Sequence, residues 1–180
     1  MDVVASLYGR NSLKDLISKA VKDVFIPITV GGGIRSIDNA REILRSGADK
    51  IAINTAAIKN PGLISDLVKE FGSQSVVVSI EAKNINENRW EAYVENGREK
   101  TGIDVIKWAE KCTELGAGEI LLTSVDREGT RKGFDIKLIK KVEEKINIPL
   151  IASGGMEKPE DLTEVVIDGK ASAASMADII

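Results

Sequence analysis

One phrase of this chain is written twice. VGGGIRSIDN extends the apolar stretch 26–30, and IASGGMEKPED extends the stretch that begins at Ile148. Pro27 and Pro149 stand 122 residues apart (149 − 27), and Gly33 and Gly155 keep the same offset. A chain of 180 residues has room for one sizeable core. The repeat therefore points to a single domain, 1–180, built from two similar halves that each carry out the same local task.

Around the repeat, β-branched apolar runs alternate with amphipathic stretches. The runs lie at 3–4, 26–30, 50–53, 76–80, 119–122, 148–152 and 171–180. Helical spacing covers roughly 12–23, 37–46, 61–71, 103–115, 135–145 and 159–168. Gly47, Gly72, Gly116 and Gly169 close helices where a left-handed residue is expected. Asn60-Pro61 and Lys158-Pro159 open them. Strand, helix, strand with buried strands means a parallel sheet. Seven strands fit an open α/β sheet locally, but the repeat favours an incomplete (β/α)8 barrel, with strands 2 to 8 present and the first missing. At 84–100 the pattern breaks. Trp90, Ala92 and Val94 alternate with polar residues before Asn96-Gly97, which predicts a β-hairpin with a type I′ turn, either a lid or a decoration.

Composition closes off several chemistries. There is no histidine, so no Ser-His-Asp triad and no histidine-ligated zinc is open to the chain. The one cysteine, Cys112, falls on the apolar face of a helix with Val105, Trp108 and Ala109 and reads as core. With Lys+Arg 25 against Asp+Glu 28 and a net charge of −3, no basic stripe marks a nucleic acid or membrane partner. The expectation is a cytoplasmic protein without metal or cofactor, whose proton transfers fall to Asp, Glu, Lys, Tyr or Cys.

At the C-terminal end of a parallel strand, unpaired N–H groups favour an anion, and glycine lets a phosphate approach them. Gly31-Gly32-Gly33 and Ser153-Gly154-Gly155 fit that role. Each is also a tight turn that needs no ligand. Two matched copies favour a ligand with a phosphate at each end.

The strings VGGGIRS, SGADKIAINTAA, FGSQSVVVSIEAK, GAGEILLTSVDREGT and IPLIASGG closely resemble the cyclase subunit of imidazole glycerol phosphate synthase over essentially the whole chain. The resemblance implies a lyase of histidine biosynthesis. Such an enzyme takes ammonia from a glutaminase partner in a heterodimer. It closes the imidazole ring of a bis-phosphorylated ribulosyl formimino substrate and releases aminoimidazole carboxamide ribotide. Aligned this way, Met1 falls near the family's second strand. The first strand, with one of two acid/base aspartates, would be absent, and the chain alone would be inactive.

Carried over residue by residue, the second acid/base position is Glu81, where the family has Asp; the alternative is a solvated rim carboxylate. One phosphate falls to Gly33, Asn54 and Thr55. The other falls to Gly129, Gly155, Ala177 and Asp178, with Glu128 nearby. Asp126 contacts substrate or caps its loop, and Asp2 and Ser6 are weaker candidates at the mouth. Lys50 and Glu119, at strand starts, resemble an ammonia gate; without the resemblance they read equally as a bottom-rim ion pair. Asp49 would face the glutaminase. Two alternatives stand beside this reading: an ammonia-using paralogue acting on a surface sugar, and a phosphate-binding fragment without turnover.

Overall fold

Strands β1 (Thr29–Gly31) and β2 (Lys50–Ile53) pair in parallel, Thr29 against Lys50 and Gly31 against Ala52. β2 then pairs with the start of β3 (Val76–Asn86), Ile51 against Val76 and Ile53 against Val78. The computed structural model describes residues 13–177. They divide into two compact units: residues up to 78 with 115–118, and residues 79–114 with 119 onward.

In the first unit the strands alternate with helices α1 (Leu13–Asp23), α2 (Ile37–Arg45), α3 (Thr55–Lys59) and α4 (Gly62–Phe71). Ile51, Ile53, Val76, Val77 and Val78 are all buried, as strands covered on both faces must be. Ile17, Val30 and Ala48 form a core with Val21, Ile28 and Ile43 against it. Gly47 makes this packing possible. Its φ is 108, and a Cβ there would stand 2.7 Å from Val21 Cγ2.

The second unit holds the rest of β3, β4 (Arg89–Val94), β5 (Glu99–Asp104), α5 (Val105–Glu114), β6 (Glu119–Ser124), α6 (Ile136–Glu143), β7 (Leu150–Ser153), α7 (Glu160–Ile167) and β8 (Ala173–Ser175). β6, β7 and β8 run parallel in chain order, and the N–H of Val125 donates to Ala82 of β3 (2.9 Å). Among the described residues the strand order reverses in neither unit, as it does at the crevice of a doubly wound sheet. The fold is α/β with parallel strands, in keeping with an incomplete (β/α)8 barrel.

Several boundaries differ from expectation, each for a local reason. β1 begins at Thr29 because Pro27 has no N–H and the Ile28 N–H is taken by the Asp49 carboxylate (2.8 Å). This leaves Phe25 and Ile26 exposed. β3 runs on to Asn86 because β4 pairs with it antiparallel, so Glu81 lies within a strand rather than at its tip. A second turn, with Asn88 at φ 68, makes the excursion a three-stranded meander. The turn after β4 is not type I′. Glu95, Asn96 and Gly97 all have positive φ, and Arg98 N–H donates to Val94 (3.1 Å). At the end of α7 the left-handed residue is Lys170, not Gly169. Gly169 is needed instead because a Cβ there would strike the Val165 carbonyl oxygen. β8 ends at Ser175, well before the expected limit at 180. The short helix α3 had no expected counterpart. The expected strand at 3–4, with Asp2, Ser6 and Asp178, lies outside the described residues.

One side chain fastens the meander to α6 within the second unit. Asp135 caps α6 by accepting the Leu138 N–H (3.1 Å), and its other oxygen accepts the indole N–H of buried Trp90 (3.1 Å). Asp135→Ala removes a helix cap and strands a buried donor. The expected loss is about 2–4 kcal/mol by urea denaturation. Cys112 is fully buried, and burial pushes its thiol up to about 12 from 9.0. Below pH 9 the thiol is neutral whether folded or not and leaves stability unchanged. Above it the unfolded chain ionises first, so stability should fall by at most about 1.4 kcal/mol per pH unit until the native thiol titrates. Cys112→Ala should remove that slope, and native Cys112 should resist alkylation at pH 8.

Candidate active site

The two glycine phrases occupy the same place on their ladders. Gly31 pairs with Ala52, which places Gly33 and Asn54 each two residues beyond the last rung. Ser153 pairs with Ser175, which places Gly155 and Ala177 each two residues beyond theirs. The repeat thus reproduces a register as well as a string. The extra residue of the second copy is absorbed before β8, where Lys170 takes φ 59.

In the first unit, Gly32 and Gly33 have φ 112 and 70 as the chain leaves β1. Ser36 then caps α2 by accepting the Asn39 N–H (3.2 Å). Asn54 and Thr55 open α3 directly after β2. Lys50 starts β2 and Asp49 precedes it, at the opposite end of the strand from Asn54.

In the second unit, Glu128, Gly129, Gly155 and Ala177 come together. They line a cavity of about 280 Å³ with Ser153, Gly154, Met156, Ser175, Met176 and Arg131. Gly154 and Gly155, within this lining, have φ 94 and 99. A Cβ on Gly154 would stand 2.9 Å from the Ser124 carbonyl oxygen and 3.0 Å from Glu128 Oε2. A Cβ on Gly155 would strike the Gly133 carbonyl oxygen and stand 2.9 Å from Arg127 Cβ. Gly133 N–H in turn donates to the Gly155 carbonyl (2.7 Å), so the loop after β6 is laid directly on the second glycine phrase. Glu119 starts β6, at the opposite strand end from this loop.

Glu81 is half-buried on β3, and its Oε2 accepts the N–H of Gly97 at the turn after β4 (2.9 Å). Tyr93 lies across from it in register. Lys83, two residues along the same face, holds its ammonium 5.3 Å from the Tyr93 ring centre. A carboxylate, a phenol and an ammonium thus share one sheet face, a set able to take and return protons. Asp126 spends Oδ2 on the Asn84 N–H (2.6 Å), tying the loop after β6 to β3. Among the described residues no three carboxylates or thiols cluster as metal ligands.

The histidine biosynthesis protein family model matches residues 1–180. This chain belongs to that family. It is 62% identical over 161 residues to the imidazole glycerol phosphate synthase subunit HisF of Legionella pneumophila, covering 89% of this chain and 76% of that one. It is 46% identical over 179 residues to the HisF subunit of Alkaliphilus metalliredigens, covering 99% and 71%. With the HisF subunit of Methanocaldococcus jannaschii it shares 48% over 199 residues, covering 100% and 73%.

Sequence reasoning passed over Arg131 and Met176, which lie outside the repeated phrase, and Met156, which lies within it. It also passed over Asp161, whose Oδ2 accepts the N–H groups of Glu157 (2.8 Å) and Lys158 (3.2 Å) and so fixes the stretch after Gly155. The capping pattern is offset there, because the aspartate sits inside the first turn and reaches back. Gly155→Ala is expected to destabilise by at least about 2 kcal/mol, because the strand end meets a carbonyl and the residue lies at positive φ. Gly129, at φ 68 with nothing within 4 Å of its would-be Cβ, should cost only about 1–2 kcal/mol as Ala. Urea titration of the pair distinguishes close packing from backbone preference alone.

Proposed function

We propose that the chain belongs to an enzyme that performs the cyclase reaction of imidazole glycerol phosphate synthase. Ammonia is used to close the imidazole ring of a bis-phosphorylated ribulosyl formimino substrate, giving imidazole glycerol phosphate and aminoimidazole carboxamide ribotide. The observation that carries this reading is membership of the histidine biosynthesis family across residues 1–180. The two glycine phrases at equivalent registers support a substrate with a phosphate at each end. Gly33, Asn54 and Thr55 take one phosphate, and Gly129, Gly155, Ala177 and Asp178 take the other, with Glu128 beside it. Backbone N–H groups offered in place suit a dianion without side-chain reorganisation.

Glu81 is the acid/base group on this chain, and Asp126 positions substrate from the adjoining loop. Lys50 and Glu119, each at a strand start, act at the ammonia entrance. The glutaminase subunit docks near Asp49, where Phe25 (93% exposed) and Ile26 (73%) supply an unusual apolar surface. No described helix is long and apolar enough to cross a membrane, and the reaction is assigned to the cytoplasm.

Turnover with ammonium salt in place of glutamine tests the chemistry directly. In an intact relative carrying this glutamate, Glu81→Gln is expected to lower kcat by about 10²–10⁴ with little change in KM. Unchanged kcat would remove Glu81 from the mechanism. Titration against the glutaminase subunit tests the docking surface. Phe25→Asp should weaken association by tenfold or more, as loss of an aromatic anchor does.

A further inference from the structure

We propose that Trp90 is a positioning residue for the anion cavity of the second unit, acting through Asp135 and through its rung partner Asn84 on the loop 125–135 that brings Gly129 to the cavity. This rests on the phosphate reading of that cavity and adds to it what holds the loop in place.

Both ends of the loop are tied to one rung of the meander. At the near end, Val125 N–H donates to the Ala82 carbonyl (2.9 Å), and Asp126 Oδ2 accepts the Asn84 N–H (2.6 Å). At the far end, Asp135 Oδ2 accepts the indole N–H of Trp90 (3.1 Å). Asn84 and Trp90 face each other in register across β3 and β4. Two carboxylates from opposite ends of the loop thus close it on a single residue pair. A bulge between Asn84 and Asn86 interrupts the regular pairing directly beyond that pair. Trp90 is only 2% exposed, so the rung is anchored in the core.

Between its ends the loop is braced internally. Glu128 N–H donates to the Ser124 carbonyl (2.9 Å), Thr130 N–H to the Arg127 carbonyl (3.0 Å), and the Arg127 guanidinium to the Lys132 carbonyl (2.8 Å). A loop bonded to itself in this way carries a displacement of its ends to its middle, where Glu128, Gly129 and Arg131 line the cavity. Backbone amides hold an anion well only when they already stand in place, because the bonds are short and directional. Loss of the indole bond releases the far end, and ordering the loop then opposes binding. Trp90 is not among the lining residues, so its effect passes through the loop. The chain's other tryptophan, Trp108, supplies a control. It is also buried, and its indole N–H has no partner among the described residues.

Calorimetric titration of the chain with inorganic phosphate at low ionic strength, followed in parallel by tryptophan emission, tests the assignment. Ala177→Asp, at an exposed lining position where a carboxylate repels phosphate, identifies the phosphate held in this cavity. Trp90→Phe should bind that phosphate about tenfold more weakly than the parent. Asp135→Asn should fall between them, because an amide offers one acceptor oxygen to the Leu138 N–H and the indole together. Trp108→Phe should bind as the parent does. Phosphate should shift the indole emission of the parent and of Trp108→Phe, and leave that of Trp90→Phe unchanged. Full affinity in Trp90→Phe, or an equal loss in Trp108→Phe, would overturn the positioning role while the cavity reading stands. So would an emission shift that survives in Trp90→Phe. A parent that binds no phosphate, or binds it no better than Ala177→Asp, would overturn the cavity reading and the proposal with it.

Discussion

In each unit the last rung of a parallel ladder, Gly31 against Ala52 and Ser153 against Ser175, sets the level at which two chain segments leave the sheet together. Residues two steps beyond that rung leave the sheet at the same level. Once the register is set, Gly33 has Asn54 as its neighbour in count, and Gly155 has Ala177. Everything proposed about anion binding depends on this. A slip of one residue would turn every strand side chain to the other face and part these neighbours. The buried, β-branched residues of β2 and the start of β3 make such a slip costly in the first unit. In the second, Ile120, Leu122, Leu150 and Ala152 do the same.

The alternation of strands and helices was legible because its signals are local. A 3.6-residue period, a proline at a helix start and a glycine at its end require nothing from distant parts of the chain. The repeat was legible for the same reason, since it is a comparison of letters. What was missed depends on partners far away in sequence. β3 extends past Ile80 because β4 returns to pair with it, and β1 starts late because the Asp49 carboxylate, 21 residues on, captures the Ile28 N–H. The cavity follows the same rule. Gly154 and Gly155 belong to the repeated phrase and were found, whereas Arg131 reaches the cavity only through the folding of the loop after β6. Gly169 shows the converse case. Its residue type was read correctly as a special backbone position, but the requirement is room beside Val165, and the left-handed turn passes to Lys170.

A chain without histidine and with more acids than bases uses its carboxylates to hold loops. Asp49 accepts Ile28 N–H, Glu91 accepts Gly102 N–H (2.6 Å), Asp126 accepts Asn84 N–H, and Asp161 accepts two amides before α7. Each satisfies a backbone donor that the ladder or helix leaves over. Acidic residues at strand ends therefore have structural employment in this fold, and position alone does not mark one as catalytic. Distinguishing the two uses depends on what the carboxylate would have to release in order to react.

Glu81 stands at that point. Its Oε2 holds the Gly97 amide, and Gly97 belongs to a turn of three consecutive residues at positive φ, a backbone with few alternative conformations. In the proposed acid/base role, a proton arriving on Oε2 and the Gly97 N–H contend for the same oxygen. A protonated carboxyl is a poorer acceptor than a carboxylate, so uptake of the proton weakens the bond to the turn and its loss restores it. In that proposed role, proton transfer at β3 would act on the contact that seats the turn after β4. The Gly97 amide is one tie between the meander and that carboxylate, and Asp135 holds Trp90 on the middle strand.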